Sequence, residues 1–191
     1  MSTKAKIVQT ADRMFYEQGF ENTSFADIAA EVGISRGNFY YHFKTKDEIL
    51  EAVIVKRLED RQAMLAAWEM EAGDPLGNIG KFIDILIVNG DKIKHFGCPI
   101  GTLSSELAKL NHPAQQDANA LFTLFRDWLA RQFTALGCTE NADGLAMHLL
   151  ARSQGVATMA NAFRDDAFIR QEVDDMVQWV AARCPAQRAQ D

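Results

Sequence analysis

In the opening stretch of the chain the apolar positions Ile7, Val8, Ala11, Met14 and Phe15 recur at i, i+1, i+4, i+7 and i+8, which is one face of a helix. Thr3 is the expected cap of that helix and Gly19 its expected stop. The pattern then predicts a short helix from Phe25 to Val32 behind Ser24, whose hydroxyl can accept from unpaired amides. Gly33-Ile-Ser35 follows, and a third short helix runs from about Arg36 to Phe43. Thr45-Lys-Asp-Glu48 reads as a capping box that opens a long helix through Leu50, Val53, Ile54, Leu58, Leu65 and Trp68.

Gly73-Asp-Pro75 breaks this pattern and restarts it, with Asp74 as cap and Pro75 at the first helical position. The new helix is expected to reach about Lys94. Its run Ile85–Val88 suits a buried strand by composition, but the length of the surrounding segment favours a helix. Gly97-Cys-Pro-Ile-Gly101 reads as irregular, Thr102–Leu110 as a short helix, and Asn111-His-Pro113 as another restart. Leu121, Phe122, Phe125, Leu129 and Phe133, with Trp128 beside them, form a stripe that stops at Gly137. A further stripe runs from Ala142 to Phe163, and Asp165-Asp166 opens a last one through Ile169, Val173, Met176, Val177, Val180 and Cys184. Strand alternation and internal repeats do not occur. The fold class is all-α.

Apolar residues make up 48% of the chain and charged residues 24%, the balance of a globular protein. No apolar run approaches a membrane span, and the N-terminus lacks an apolar signal core, so a cytoplasmic location is expected. Three cysteines, Cys98, Cys138 and Cys184, form no CxxC, and no disulfide framework is expected. The net charge of −6 argues against a sequence-blind nucleic-acid coat, which needs a strongly basic surface. A local asymmetry hides in that average. From Arg36 to Lys46 there are three cations, Arg36, Lys44 and Lys46, with His42 among them and no acid.

Two short helices around a turn that begins with glycine form a helix-turn-helix arrangement. Ile28, Ala29, Val32, Ile34 and Phe39 are spaced to bury the pair, leaving Ser35, Arg36, Gly37, Asn38, Tyr40, Tyr41 and His42 on or near the exposed side of the second helix. Arg can bond guanine through two contacts and Asn can do so with adenine, while small residues allow close approach to a groove. Tyr40, His42, Lys46 and the Ser24 hydroxyl suit phosphate oxygens, which fix register without reading sequence.

These residues resemble the TetR family of transcriptional regulators: Ser24, Asp27-Ile-Ala29, Gly33-Ile-Ser35, Phe39-Tyr40, His42-Phe43 and Lys46 follow the family pattern, with Ile34 where Val is common. The resemblance implies that Ser24, Ser35, Gly37, Tyr40, His42 and Lys46 contact or approach DNA, and that Arg36, Asn38 and Tyr41 occupy the sequence-reading positions. It also implies a DNA-binding domain over 1–46 and a helical ligand-binding and dimerisation domain over 47–191. The expected partners are a double-stranded DNA operator of pseudo-palindromic form, a second copy of the chain, and a small-molecule inducer, with electrophiles among the candidates. Small residues Ala146, Gly155 and Ala157 are candidates for close approach at the dimer interface.

Outside this segment the signals are weaker. Gly-x-Ser-x-Gly, His-Glu-x-x-His and phosphate-cradling glycine loops are absent, so the reading is a repressor rather than an enzyme, and no cofactor is expected. An all-helical enzyme without DNA binding and an activator of the same fold are the alternatives. His95 and Cys98 offer two metal-ligand types without a third, and no metal site is assigned. Gly97-Cys-Pro-Ile-Gly-Thr-Leu-x-x-Glu106 looks like a motif of a subset of these regulators, which makes Cys98 a candidate ligand or sensor residue.

Overall fold

The computed structural model describes residues 1–183, so Cys184 lies outside the described residues. Among the described residues every regular element is helical: α1 (Thr3–Gln18), α2 (Phe25–Val32), α3 (Arg36–His42), α4 (Lys46–Ala72), α5 (Pro75–Val88), α6 (Gly90–Phe96), α7 (Pro99–Lys109), α8 (Gln115–Ala135), α9 (Ala142–Phe163) and α10 (Asp166–Arg183). No helix among them is long and apolar enough to cross a membrane. The chain forms two compact units, one from residues 1–61 with 99–121, the other from 62–98 with the chain after 121.

In the first unit the α1 face Ile7, Ala11 and Phe15 packs with Ile28 and Val32 of α2, Phe39 of α3, and Ile49, Leu50 and Val53 of α4. Leu103 and Leu107 of α7 and Ala118 of α8 belong to the same core. The unit that holds the helix-turn-helix therefore runs past residue 46, because three helices alone leave this apolar surface uncovered. In the second unit Ile79, Phe82 and Leu86 of α5, Phe125, Trp128 and Leu129 of α8, Leu145 and Leu149 of α9, and Val173 and Met176 of α10 are all buried.

Local departures from the sequence reading have local causes. Ser2, not Thr3, caps α1: its extended backbone lets the hydroxyl accept from the Ala5 N–H at 3.2 Å, while Thr3 is already helical. At the α4 start Thr45 Oγ1 accepts from the Glu48 N–H, but the Glu48 carboxylate reaches one residue further back, to the Lys44 N–H at 2.7 Å. The helix expected to reach Lys94 ends at Val88 and restarts as α6, because Asn89-Gly90 are two poor helix formers in succession. α7 starts at Pro99 rather than Thr102, since proline is pre-set for a first helical position. Asp165 opens α10 as expected, its carboxylate accepting from the Ala167 and Phe168 amides. Ala146 and Ala157 are buried within their own unit, so of the three small residues only Gly155 is exposed.

Candidate nucleic-acid interface

The interface is built on two caps and one left-handed residue. Ser24 Oγ accepts from the Asp27 N–H at 3.1 Å while the Asp27 carboxylate accepts from the Ser24 N–H at 3.0 Å and its hydroxyl at 2.6 Å. The Ser24 hydroxyl, joined by the Ser24 amide, holds the Asp27 carboxyl below the usual carboxylate range. Gly33 closes α2 at φ 74°, ψ 36°, a conformation that a Cβ disfavours, and its N–H donates to Ala29 O and Ala30 O at 3.1 Å. Ser35 then caps α3 by accepting from the Asn38 N–H. This spacing turns Phe39 wholly into the core and leaves Arg36, Gly37, Asn38, Tyr40 and Tyr41 exposed, with His42 half-buried.

The aromatics divide by role. The Tyr40 ring leans on Phe25 at 5.0 Å between centroids, and Phe25 in turn meets Phe39 edge-on at 4.4 Å. Tyr41, 79% exposed, meets His42 edge-on at 5.1 Å between centroids. Gly37 differs from the helix-ending Gly19 and Gly33 in lacking a positive φ, and a Cβ there would meet nothing within 4 Å. Its lack of a side chain therefore serves no contact inside the chain.

Acids near this face are already engaged. Asp27 is held in its cap, Glu31 is paired with Arg13 at 2.5 Å, and Glu48 is bound to the Lys44 amide. The Lys44 ammonium donates to Tyr40 O at the end of α3. The Lys46 Nζ donates to Phe20 O at 2.9 Å and Glu21 O at 3.5 Å, over the Phe20 ring. The result is an exposed helix face carrying one guanidinium, one amide and two phenols.

Two family descriptions match the chain. Residues 7–53 match "Bacterial regulatory proteins, tetR family", and residues 75–174 match "Transcriptional regulator LmrA/YxaF-like, C-terminal domain". The chain belongs to the TetR family. It is a DNA-binding transcriptional regulator. It is 29% identical over 168 residues to an uncharacterized HTH-type transcriptional regulator in the lacX 3′ region of Lactococcus lactis, covering 86% of each chain. It is 25% identical to the HTH-type transcriptional regulator LmrA of Bacillus subtilis, over 84% of this chain and 81% of the relative. The crystal structure of a TetR transcriptional regulator from Legionella pneumophila shares the fold, with a TM-score of 0.83 at 24% identity over 94% of this chain and 97% of that one.

The second unit of this TetR-family chain holds a polar chain in an apolar setting. Glu69 Oε1 accepts from Trp128 Nε1 at 2.7 Å and from Gln132 Nε2 at 3.1 Å, and Gln132 Oε1 accepts from Asn78 Nδ2 at 3.0 Å. The Glu69 carboxylate sets the direction of these bonds, since it can only accept. Asn78 Oδ1, at the far end of a side chain 5% exposed, is left without a partner. One helical turn along, Phe82 and Phe125 pair at 5.6 Å. Asn78 and Gln132 are marked in the sequence only as polar interruptions of apolar stripes: Asn78 lies four residues before Phe82, and Gln132 seven after Phe125. Cys98 lies half-buried in the turn before α7 and is not disulfide-bonded. His95 Nδ1 is within 2.8 Å of Asp91 O, and no group of three metal-ligating side chains occurs among the described residues.

Proposed function

We propose that this regulator is a cytoplasmic homodimer that represses transcription from a pseudo-palindromic operator and is released by a small molecule. The observation that carries the reading is the exposed face of α3. Arg36, Asn38 and Tyr41 read base edges from it, while Ser24, Ser35, Tyr40 and His42 meet phosphates and Gly37 lets the backbone approach. One short helix reads too few bases for useful specificity, so two copies bind half-sites about 34 Å apart. Repression is favoured because it requires only occupancy of the operator.

The second copy docks on α9, where Met147, Ala151, Gly155, Met159 and Phe163 form an exposed stripe at helical spacing. The inducer is a small apolar molecule with a hydrogen-bond donor, because the Asn78 carbonyl needs a donor and the neighbouring side chains are aromatic. Cys98 enters as the point where an electrophile acts. Thiol alkylation then releases DNA from the native protein and not from Cys98→Ser.

The test is sedimentation and gel-shift measurement with the inverted repeat nearest the start of the protein's own gene. A dimer that prefers this repeat to a scrambled duplex is expected. A monomer at micromolar concentration that still binds tightly sinks the dimer reading. Equal affinity for both duplexes sinks the operator reading.

A further inference from the structure

The turn between α1 and α2 is gripped from two directions. Glu106, near the end of α7, accepts from the Phe20 N–H and the Glu21 N–H, both at 2.9 Å, one carboxylate oxygen for each. Lys46, the first residue of α4, donates to Phe20 O at 2.9 Å. The Phe20–Glu21 peptide thus has its N–H held by Glu106 and its C=O by Lys46. In a trans peptide these two groups point in opposite directions, so the pair clamps a single plane.

The surroundings are built for this grip. Gly19 has φ 90°, and a Cβ there would stand 3.0 Å from Glu106 Oε1. Thr23 closes the turn behind it by donating from Oγ1 to Gly19 O at 2.7 Å. Phe20 is buried, between Phe15 and His112 at 5.2 Å each, with the Lys46 ammonium 4.1 Å from its centroid. The other end of α7 is tied to α1 as well: the buried Arg57 donates to Asp12 Oδ1 at 2.6 Å and to Pro99 O at 2.7 Å. Ser24, which opens the helix-turn-helix, is the next residue after this turn.

We propose that Glu106 and Lys46 are positioning residues for operator recognition, a reading that rests on the DNA-binding function above. They touch no base. By fixing the Phe20–Glu21 peptide they set where α2 begins, and with it the placement of α3 within its unit. Lys46 therefore acts through the turn rather than on a phosphate, although its charge and its place after α3 suit the latter role.

The experiment uses the full chain, with Glu106→Gln, Lys46→Met and the double variant, titrated onto operator and scrambled duplexes at several salt concentrations. Glutamine keeps the shape but offers one acceptor, so operator affinity should fall about tenfold, the effect of losing one charge-assisted hydrogen bond. Lys46→Met should fall similarly with the salt slope unchanged, and the double variant should lose less than the product of the two. A salt slope reduced by about one ion in Lys46→Met would overturn the inference for Lys46, since that is the mark of a lost phosphate contact. Wild-type affinity in Glu106→Gln would overturn it for Glu106. Amide exchange at Phe20 and Glu21 supplies a readout without DNA: both should be protected in the native protein and faster in either variant, and unprotected amides in the native protein would refute the clamp. Failure of the native protein to bind any inverted repeat is a separate result, and it removes the regulator reading itself.

Discussion

Arg57 Nε and Asp12 Oδ1 lie 2.6 Å apart, with Arg57 4% exposed, and this contact joins α4 to α1 inside the unit that carries α3. A buried guanidinium tolerates the loss of its carboxylate poorly, because the desolvated charge has no other counterion. The same guanidinium also reaches the carbonyls of Asp12 and Pro99. Asp12→Ala leaves that buried charge with backbone carbonyls alone. Destabilisation of about 3 kcal/mol is expected in denaturant unfolding. A change within 0.5 kcal/mol would show that water replaces the contact at little cost.

Gly37 gives a cleaner separation of stability from recognition. It sits in a helix without any neighbour that a Cβ would strike. Gly37→Ala should therefore stabilise the protein by up to about 1 kcal/mol through helix propensity. If the backbone at this point approaches DNA, the same change should weaken operator binding. Arg36→Ala should instead shift which sequences are preferred, by about 1–3 kcal/mol of discrimination. A Gly37→Ala variant that is more stable and binds as well as wild type would remove this residue from the interface.

Asp27 predicts a pH dependence with a definite sign. Its carboxyl is held below the ordinary range by the Ser24 hydroxyl and amide. A group with a depressed folded-state pKa adds stability that is complete above its unfolded value, about pH 4. That contribution is lost as pH falls through the lowered value. The Ser24 amide resonance should thus titrate with a midpoint below that of an unhindered aspartate, and the transition should vanish in Asp27→Asn. A midpoint at or above the ordinary value would mean the cap is not formed in solution.

The orphaned Asn78 carbonyl predicts discrimination between near-identical ligands. Indole and 1-methylindole differ by one N–H donor. Indole should raise the thermal midpoint more than its methylated form, and the difference should disappear in Asn78→Leu. Equal shifts from both compounds, in native and variant protein alike, would show that this carbonyl meets no ligand.

Much of this architecture is readable from spacing. Ile7 to Phe15, Phe25 to Val32 and Ala142 to Phe163 lie where 3.6-residue periodicity puts them, because each helix buries one face against its neighbours. The helix-turn-helix is legible for the same reason, aided by Ser24, Gly33 and Ser35, whose local chemistry fixes the caps. The polar partnerships are not. Glu106 meets Phe20 across 86 positions and Arg57 meets Asp12 across 45, and nothing in a one-dimensional pattern pairs a surface-type residue with a distant backbone amide. Lys46 illustrates the limit: its charge is plain in the sequence, while the carbonyls it meets, Phe20 O and Glu21 O, lie 26 and 25 positions away.

The discontinuity of the first unit has a consequence for biosynthesis. Its core needs Leu103 and Leu107, and the Phe20 turn needs Glu106, yet all three are translated long after α3. Domains emerging from the ribosome fold as units once their chain is available. Until residue 121 has emerged, the head encoded by residues 1–61 lacks the Glu106 and His112 partners of Phe20. The same fact governs grafting: a chimera that borrows only residues 1–46 carries the reading helix but leaves behind the strap that seats it, so a working transplant has to move two separate pieces of chain.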